Sequence, residues 1–159
     1  MKKLFILFIL FSGFVFGQFT VTKENWIEKG KYLQAIKLYQ NEDKTKAKIW
    51  YLDFNTVLQK TNVLSPTMDY EFEFTTEPDT LDKLYDLIKD NLEKKNIEVL
   101  TLTFPEGKMH LNFMKSLGSY YVNFQFENKS SIIDNTSTSK RETYALNLKR
   151  LNKFFGKEN

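Results

Sequence analysis

The stretch MDYEFEFT, residues 68–75, alternates strictly between apolar and acidic or hydroxyl side chains. In an extended chain, successive side chains point to opposite faces, so its apolar residues share one face and the carboxylates of Asp69, Glu71 and Glu73 share the other. A period of two with one apolar face is typical of an antiparallel strand that is buried on one side only. The stretch therefore predicts a sheet with one wet face.

The residues that follow predict one helix and three more strands. TEPDT, residues 76–80, interrupts the strand pattern, and Asp79 is suited to cap a helix whose apolar residues recur at helical spacing up to Leu92. Short turns then separate three alternating segments, and connections this short favour antiparallel hairpins. The predicted strands are 97–104, 108–115 and 119–127.

The C-terminal part predicts a loop and a last helix. Residues 128–139 are small and polar, which is typical of a loop. Ser139 followed by Glu142 has the spacing of a capping box, and Gly156 is suited to end the helix.

The segment upstream of residue 68 has helical spacing. Tyr32, Ala35, Ile36 and Tyr39 fall at i, i+3, i+4 and i+7, and a similar pattern resumes after the polar residues 41–43. Residues 22–60 therefore predict a hairpin of two amphipathic helices.

Together these segments predict an α+β protein. An N-terminal helical hairpin is followed, over residues 67–156, by a two-layer sandwich with a mostly antiparallel four-stranded sheet in the order β-α-β-β-β-α. Residues 18–159 are of the usual size for one domain.

The first residues predict a secretory signal peptide. Two lysines precede an apolar run from Leu4 to Phe16, which is shorter than the roughly 20 residues that a membrane span needs. Small or modest residues at Val15 and Gly17 predict cleavage between Gly17 and Gln18, with release to the periplasm or the medium and no stable membrane span.

Charge and composition exclude several classes of function. The chain has 23 basic and 20 acidic residues, and without Lys2 and Lys3 the balance is 21 to 20, a net charge of +1. Nucleic-acid binding needs a concentrated positive face, so we exclude nucleic acid as a partner. The chain has no cysteine, which removes thiol catalysis and thiolate metal sites.

Few residues are candidates for catalysis. His110 is the chain's one histidine, so no histidine pair can bind a metal, and the sequence predicts neither a metal site nor a cofactor. Asp69, Glu71 and Glu73 lie along one side of a strand, where successive carboxylates are about 7 Å apart. This spacing is too wide for a compact ion cage without help from other strands. Two catalytic or ligand readings stay open: a small hydrolase using His110 with a carboxylate, and a weak cation site or glycosidase-type pair on the acidic strand.

The wet face of the three last strands is the candidate binding surface. It predicts a ligand-binding module in which amides, hydroxyls and a ring share one side, with the ligand-binding candidates His110, Asn112, Tyr121, Asn123 and Gln125 beside Thr101 and Thr103. The leading expectation is nevertheless a non-enzymatic binding or accessory protein of the cell envelope, whose partner is an envelope or extracellular protein or a small ligand.

Overall fold

The computed structural model of the protein describes residues 24–54, 69–128 and 141–157. The predicted signal peptide, residues 1–17, and most of the predicted loop 128–139 lie outside these ranges. The described elements, in chain order, are β1 (Trp26–Tyr32), β2 (Ile36–Asn41), β3 (Lys46–Leu52), β4 (Asp69–Thr75), α1 (Thr80–Glu93), β5 (Val99–Phe104), β6 (Gly107–Ser116), β7 (Ser119–Asn128) and α2 (Leu148–Phe154).

The strands form two antiparallel sheets. The four-stranded sheet has the order β1-β2-β3-β4 and the three-stranded sheet has the order β5-β6-β7. Within each sheet, therefore, strands that are neighbours in sequence pair with each other. The described part of the chain is mostly β.

The predicted N-terminal helical hairpin is wrong, because residues 26–52 form three strands. In β2, Ile36 and Leu38 are buried whereas Lys37 and Tyr39 lie on the outer face. Aromatic side chains on that outer face count as apolar in the sequence, so they hid the period of two and produced a helical spacing by coincidence. Of the polar residues 41–43, read as a break between helices, Asn41 ends β2 and the other two belong to the β2–β3 turn, in which Lys44 has a φ of 57°.

The predicted single sheet is also wrong. β4 pairs with β3 in register from Lys46–Thr75 to Leu52–Asp69, so it completes the N-terminal sheet. The strands predicted after α1 form a separate sheet of three. The two-layer α+β prediction fails because three further strands were available to pair with β4.

The two sheets share one hydrophobic core, and aromatic rings join them. Phe72 of β4 stacks on Phe126 of β7 at a centroid distance of 4.8 Å, and Phe74 lies 4.7 Å from Phe104 of β5. α1 packs against β6 and β7, and α2 packs against β1 and β2. The inward sides predicted from the alternation of β4, β6 and β7 are confirmed for Phe72, Phe74, Met109, Leu111, Phe113, Val122 and Phe124.

The last helix is shorter than predicted. Residues 142–146 are not helical but run beside β7, with isolated bridges between Gln125 and Glu142 and between Val122 and Leu146. α2 begins only after Asn147, whose side chain accepts a hydrogen bond from the backbone N–H of Arg150. The segment 141–147 therefore covers the outer edge of the three-stranded sheet.

The C-terminal end of α2 lies against β1 at two glycines. A Cβ atom at Gly30 would overlap the backbone carbonyl oxygens of Lys153 and Phe154, and one at Gly156 would overlap the carbonyl oxygen of Lys29. Gly156 also has a φ of 64°, as expected of a glycine that follows a helix. Only residues without a side chain allow the two backbones to approach this closely.

Candidate functional site

The register of the three-stranded sheet brings the predicted wet-face residues together. Thr101 of β5 pairs with His110 of β6, which pairs with Gln125 of β7. Thr101 Oγ1 lies 2.9 Å from His110 Nδ1 in a hydrogen bond whose direction depends on the ring tautomer. His110 Nε2 lies 3.0 Å from Glu127 Oε1, near enough for an ion pair when the ring is protonated, although not aligned for a hydrogen bond.

The amides of the same face form a second, continuous network. The Asn112 side chain donates to Asn123 Oδ1 at 2.9 Å, and the Asn123 side chain donates to Glu142 Oε2 at 2.8 Å. The Gln125 side chain donates to the same carboxylate oxygen at 3.3 Å. These amides therefore already have partners within the protein.

Glu142 also joins the two sheets through its backbone. Its N–H donates to the buried carboxylate of Asp53, at 3.2 Å, and its carbonyl accepts from the N–H of Phe54 at 2.9 Å. Sequence reasoning did not place Glu142 in this network, because the residue was predicted in the first turn of a helix. The network holds the segment 141–147 in position, a structural role for these polar side chains.

Tyr121 lies apart from these two networks. Its ring is 5.8 Å from the guanidinium carbon of Arg150, which also lies over the rings of Tyr32 and Tyr144. The guanidinium donates to the carbonyl of Ala145 at 3.2 Å. The Tyr121 ring thus contacts a cation of the protein itself.

The predicted acidic strand lies on the outer face of the four-stranded sheet, where each carboxylate has a partner. Glu71 lies 3.2 Å from Lys48 Nζ, and Glu73 lies 3.1 Å from Lys46 Nζ. Asp69 accepts a hydrogen bond of 2.7 Å from the indole N–H of Trp50. Across the described ranges, no group of three histidine or carboxylate side chains is arranged to hold a metal ion.

These carboxylates border a surface that sequence reasoning missed. Its aromatic members are Trp26, Tyr39 and Trp50, from β1, β2 and β3, and each is only partly buried. Lys37 Nζ lies 4.7 Å from the Trp50 ring, while Lys48 Nζ lies 4.8 Å from the Trp26 ring and 5.7 Å from Tyr39. We call these five residues the aromatic–lysine face.

The charges around the aromatic–lysine face balance. The hydrogen bonds that Lys46 donates to the carboxylates of Glu24 and Glu73 raise the pKa of Lys46, so this lysine stays charged. The outer side of the sheet carries four lysines and four carboxylates: Lys31, Lys37, Lys46, Lys48, Glu28, Asp69, Glu71 and Glu73. Such a surface has no strong field of either sign and does not favour a highly charged partner.

One signal in the sequence indicated this face. In KAKIWYL, residues 46–52, lysine and tryptophan alternate with alanine, isoleucine and tyrosine. With period two, Trp50 falls on the same side as the lysines and so outside the core. A large aromatic residue on the wet side of a strand indicates a contact surface.

Comparison of the chain with protein-family models, with curated proteins and with solved structures finds no match. None of the helices within the described ranges is both long enough and apolar enough to cross a membrane.

Proposed function

We propose that the protein is an exported, non-enzymatic binding domain that contacts a protein of the cell envelope through the aromatic–lysine face. The observation that carries the proposal is the position of Trp26 and Trp50. Both tryptophans of the chain lie on the outer side of the four-stranded sheet, although the core is rich in aromatic residues. Tryptophan and tyrosine are enriched among the residues that dominate binding energy at protein interfaces.

The form of this face favours a macromolecular partner over a small ligand. Small ligands bind in concave sites that bury most of their surface, whereas the aromatic–lysine face is an open sheet surface. Its balanced charges favour a partner that itself carries both signs, as most protein surfaces do. The lysines above the rings can exchange an intramolecular contact for a carboxylate of the partner.

The N-terminal sequence supports a partner in the periplasm or the medium. The pattern of residues 1–17 supports a signal peptide cleaved after Gly17, which delivers the domain to the periplasm or the medium. Intact-mass measurement of the protein recovered from a bacterial periplasm or medium is expected to show loss of residues 1–17. A mass that retains Lys2 and Lys3, in the membrane fraction, would contradict export.

The binding proposal is tested by comparing variants in quantitative affinity capture from envelope extract. Trp26→Ala and Trp50→Ala are expected each to weaken binding of the captured partner by at least about 30-fold, the equivalent of a 2 kcal/mol contribution. The matched control is Tyr120→Ala on the three-stranded sheet, where a tyrosine ring likewise lies near a lysine, Lys115. This control is expected to bind as the wild type does.

Two results would refute the proposal. The first is a partner that binds the two tryptophan variants and the wild type with the same affinity. The second is loss of binding only in variants whose far-ultraviolet circular dichroism shows that they are unfolded. Purified partner and protein, measured by calorimetry, give the affinities directly.

A hydrolase is the second candidate, and one observation favours it. Thr101, His110 and Glu127 follow one another at 2.9 Å and 3.0 Å, the order of a hydroxyl, an imidazole and a carboxylate in nucleophilic catalysis. Against this, Glu127 is 59% exposed and also lies 3.7 Å from Lys108, so water and a lysine compete for its charge. The row also lies on an open sheet face and not in a cleft that excludes water.

Turnover of ester, peptide and glycoside substrates separates the two candidates. The binding proposal expects no saturable turnover in the wild type. Turnover that falls at least about a hundredfold in both Thr101→Val and His110→Ala, but not in Thr103→Val, would establish the hydrolase instead. Thr103 is the control because it has the same side chain on the same face of β5.

A ligand site on the amide-rich part of the three-stranded sheet has less support. Asn112, Asn123 and Gln125 are joined to one another or to Glu142. A ligand would have to replace these internal hydrogen bonds, so it would gain little net energy from them.

A further inference from the structure

A cavity of about 270 Å³ lies on the other side of the four-stranded sheet from the aromatic–lysine face. It is bordered by β1 and β2, by the N-terminal end of α1 and by the residues that follow α2. Its volume lies just below the range of about 300–1,000 Å³ that is usual for ligand pockets. The lining residues that carry the argument are Lys29, Gln40, Lys44, Leu81, Asp82 and Lys157.

Gln40 is the first sign of a missing partner in this cavity. Its side chain belongs to the inner side of β2 and is only 4% exposed. The amide nitrogen is buried and has no hydrogen-bond partner among the residues that the structure describes. Buried polar groups almost always have a partner, and an unpaired one in a native protein indicates bound water, an ion or a ligand.

The charges at the cavity are the second sign. Lys157 Nζ lies 2.6 Å from Asp82 Oδ1, so this carboxylate of the lining has its own lysine. Glu28 also borders the cavity, but its carboxylate belongs to the outer side of the sheet, where it lies 2.9 Å from Lys31 Nζ. Within the described ranges, no salt bridge involves Lys29 or Lys44, and both lysines are exposed at the cavity. The hydrogen bond from Lys157, with smaller contributions from Lys29 and Lys44, lowers the pKa of Asp82.

The start of α1 is the third sign. Asp79 occupies the N-cap position, but its side chain makes no capping hydrogen bond and pairs with Lys83 at 2.7 Å. Leu81 and Asp82, in the first turn of this 14-residue helix, line the cavity. The first-turn N–H groups of a helix carry partial positive charge and bind anions.

The geometry points to a binding site for a small oxyanion, a phosphate or carboxylate group. Lys29 and Lys44 supply the charge, the first turn of α1 supplies backbone donors, and the buried Gln40 amide supplies a neutral donor. A buried neutral donor and exposed cations in one small cavity are suited to a small metabolite with one anionic group. This site is independent of the aromatic–lysine face, because it lies on the opposite side of the sheet.

The site is tested by titrating the protein with inorganic phosphate and, separately, with acetate at constant ionic strength. Two-dimensional ¹H–¹⁵N NMR follows the side-chain amide of Gln40 and the backbone N–H groups of Leu81 and Asp82. We expect these signals to shift together and to saturate with a Kd of about 1 mM or tighter. Saturation by phosphate alone assigns a phosphate group, and saturation by acetate alone assigns a carboxylate.

Two variants and one control decide the outcome. Gln40→Leu and Lys44→Gln are each expected to weaken the Kd at least tenfold, whereas Lys37→Gln, on the outer side of β2, leaves it unchanged. Gln40→Leu removes an unpaired buried donor while keeping its bulk, so its melting temperature is expected to equal or exceed that of the wild type. Shifts that do not saturate, or a Kd unchanged in Gln40→Leu, would overturn the assignment.

Discussion

Phe72→Ala tests the aromatic contact between the two sheets. The Phe72 side chain is fully buried, with ring centroids at 5.8 Å from Phe74, 6.2 Å from Phe104 and 4.8 Å from Phe126. Truncating a buried phenylalanine costs about 3–5 kcal/mol, and aromatic pairs contribute about 0.5–1.5 kcal/mol beyond the buried area. Because Phe72 loses three such pairs, we expect about 4–5 kcal/mol, or a fall in melting temperature on the order of 15–20 °C.

The measurement is urea unfolding followed by far-ultraviolet circular dichroism. Phe72→Leu, which keeps part of the ring's volume, is expected to lie between the wild type and Phe72→Ala and covers the case in which the alanine variant does not fold. The control is Glu71→Ala on the opposite face of β4, whose exposed ion pair with Lys48 contributes at most about 1 kcal/mol. Equal losses for Phe72→Ala and Glu71→Ala would refute the packing of the two sheets.

The other predictions concern backbone contacts and a buried phenol. Gly30→Ala is expected to cost about 3 kcal/mol in urea unfolding because its methyl group would overlap the backbone of α2; Gly118→Ala, in open space at a φ of 79°, should cost about 1–2 kcal/mol, and equal costs would contradict the close approach. Leu117, exposed at a φ of 47° in the β6–β7 turn, is expected to gain about 1 kcal/mol when replaced by Asn, and a loss would show that the turn is not of the I′ type. Burial raises the pKa of Tyr51 above its ordinary value of 10.0, so its contribution to stability is complete below pH 10 and is lost as the pH rises further; Tyr51→Phe should reduce the alkaline loss of stability, and an identical pH profile would argue against burial of the hydroxyl.

The sequence predicted the elements from residue 69 to residue 128 because one side of each strand there is polar. Phe72 and Phe74 alternate with carboxylates, and Val122 and Phe124 alternate with amides, so the period of two can be recognised in the sequence. The register that joins His110 to Thr101 and Gln125 also follows, because short turns fix which residues lie opposite each other. Glu127 faces His110 from the next position on the same side of β7.

The sequence misled where aromatic residues lie both in the core and on the outer face of the sheet. Tyr39 and Trp50 lie outside the core, yet both count as apolar residues in the sequence. The alternation of apolar and polar residues in β2 and β3 was therefore not visible. The extended segment 142–146 was wrongly predicted as helix for another reason. Its hydrogen bonds are made with β7 and with Asp53, which are distant in sequence, and local propensity does not report such contacts. The proposed anion site could not be predicted either, since Gln40, Lys44 and the first turn of α1 line one cavity only after the fold has formed.

The glycine contact between β1 and α2 also has a consequence for the order of folding. Each sheet is a meander of neighbouring strands, and every connection within a sheet except residues 53–68, between β3 and β4, is a short turn that makes loop closure fast. The contact of Gly30 with the residues around Gly156 instead joins the first described strand to the last described helix. This contact cannot stabilise the protein until both sheets have formed. We therefore expect the transition state to contain the hairpins and to lack this closure, so that mutations at Gly30 accelerate unfolding and leave the folding rate almost unchanged. We thus expect the contact between β1 and α2 to set the unfolding rate, and so the lifetime of the native state, while the hairpins set the folding rate.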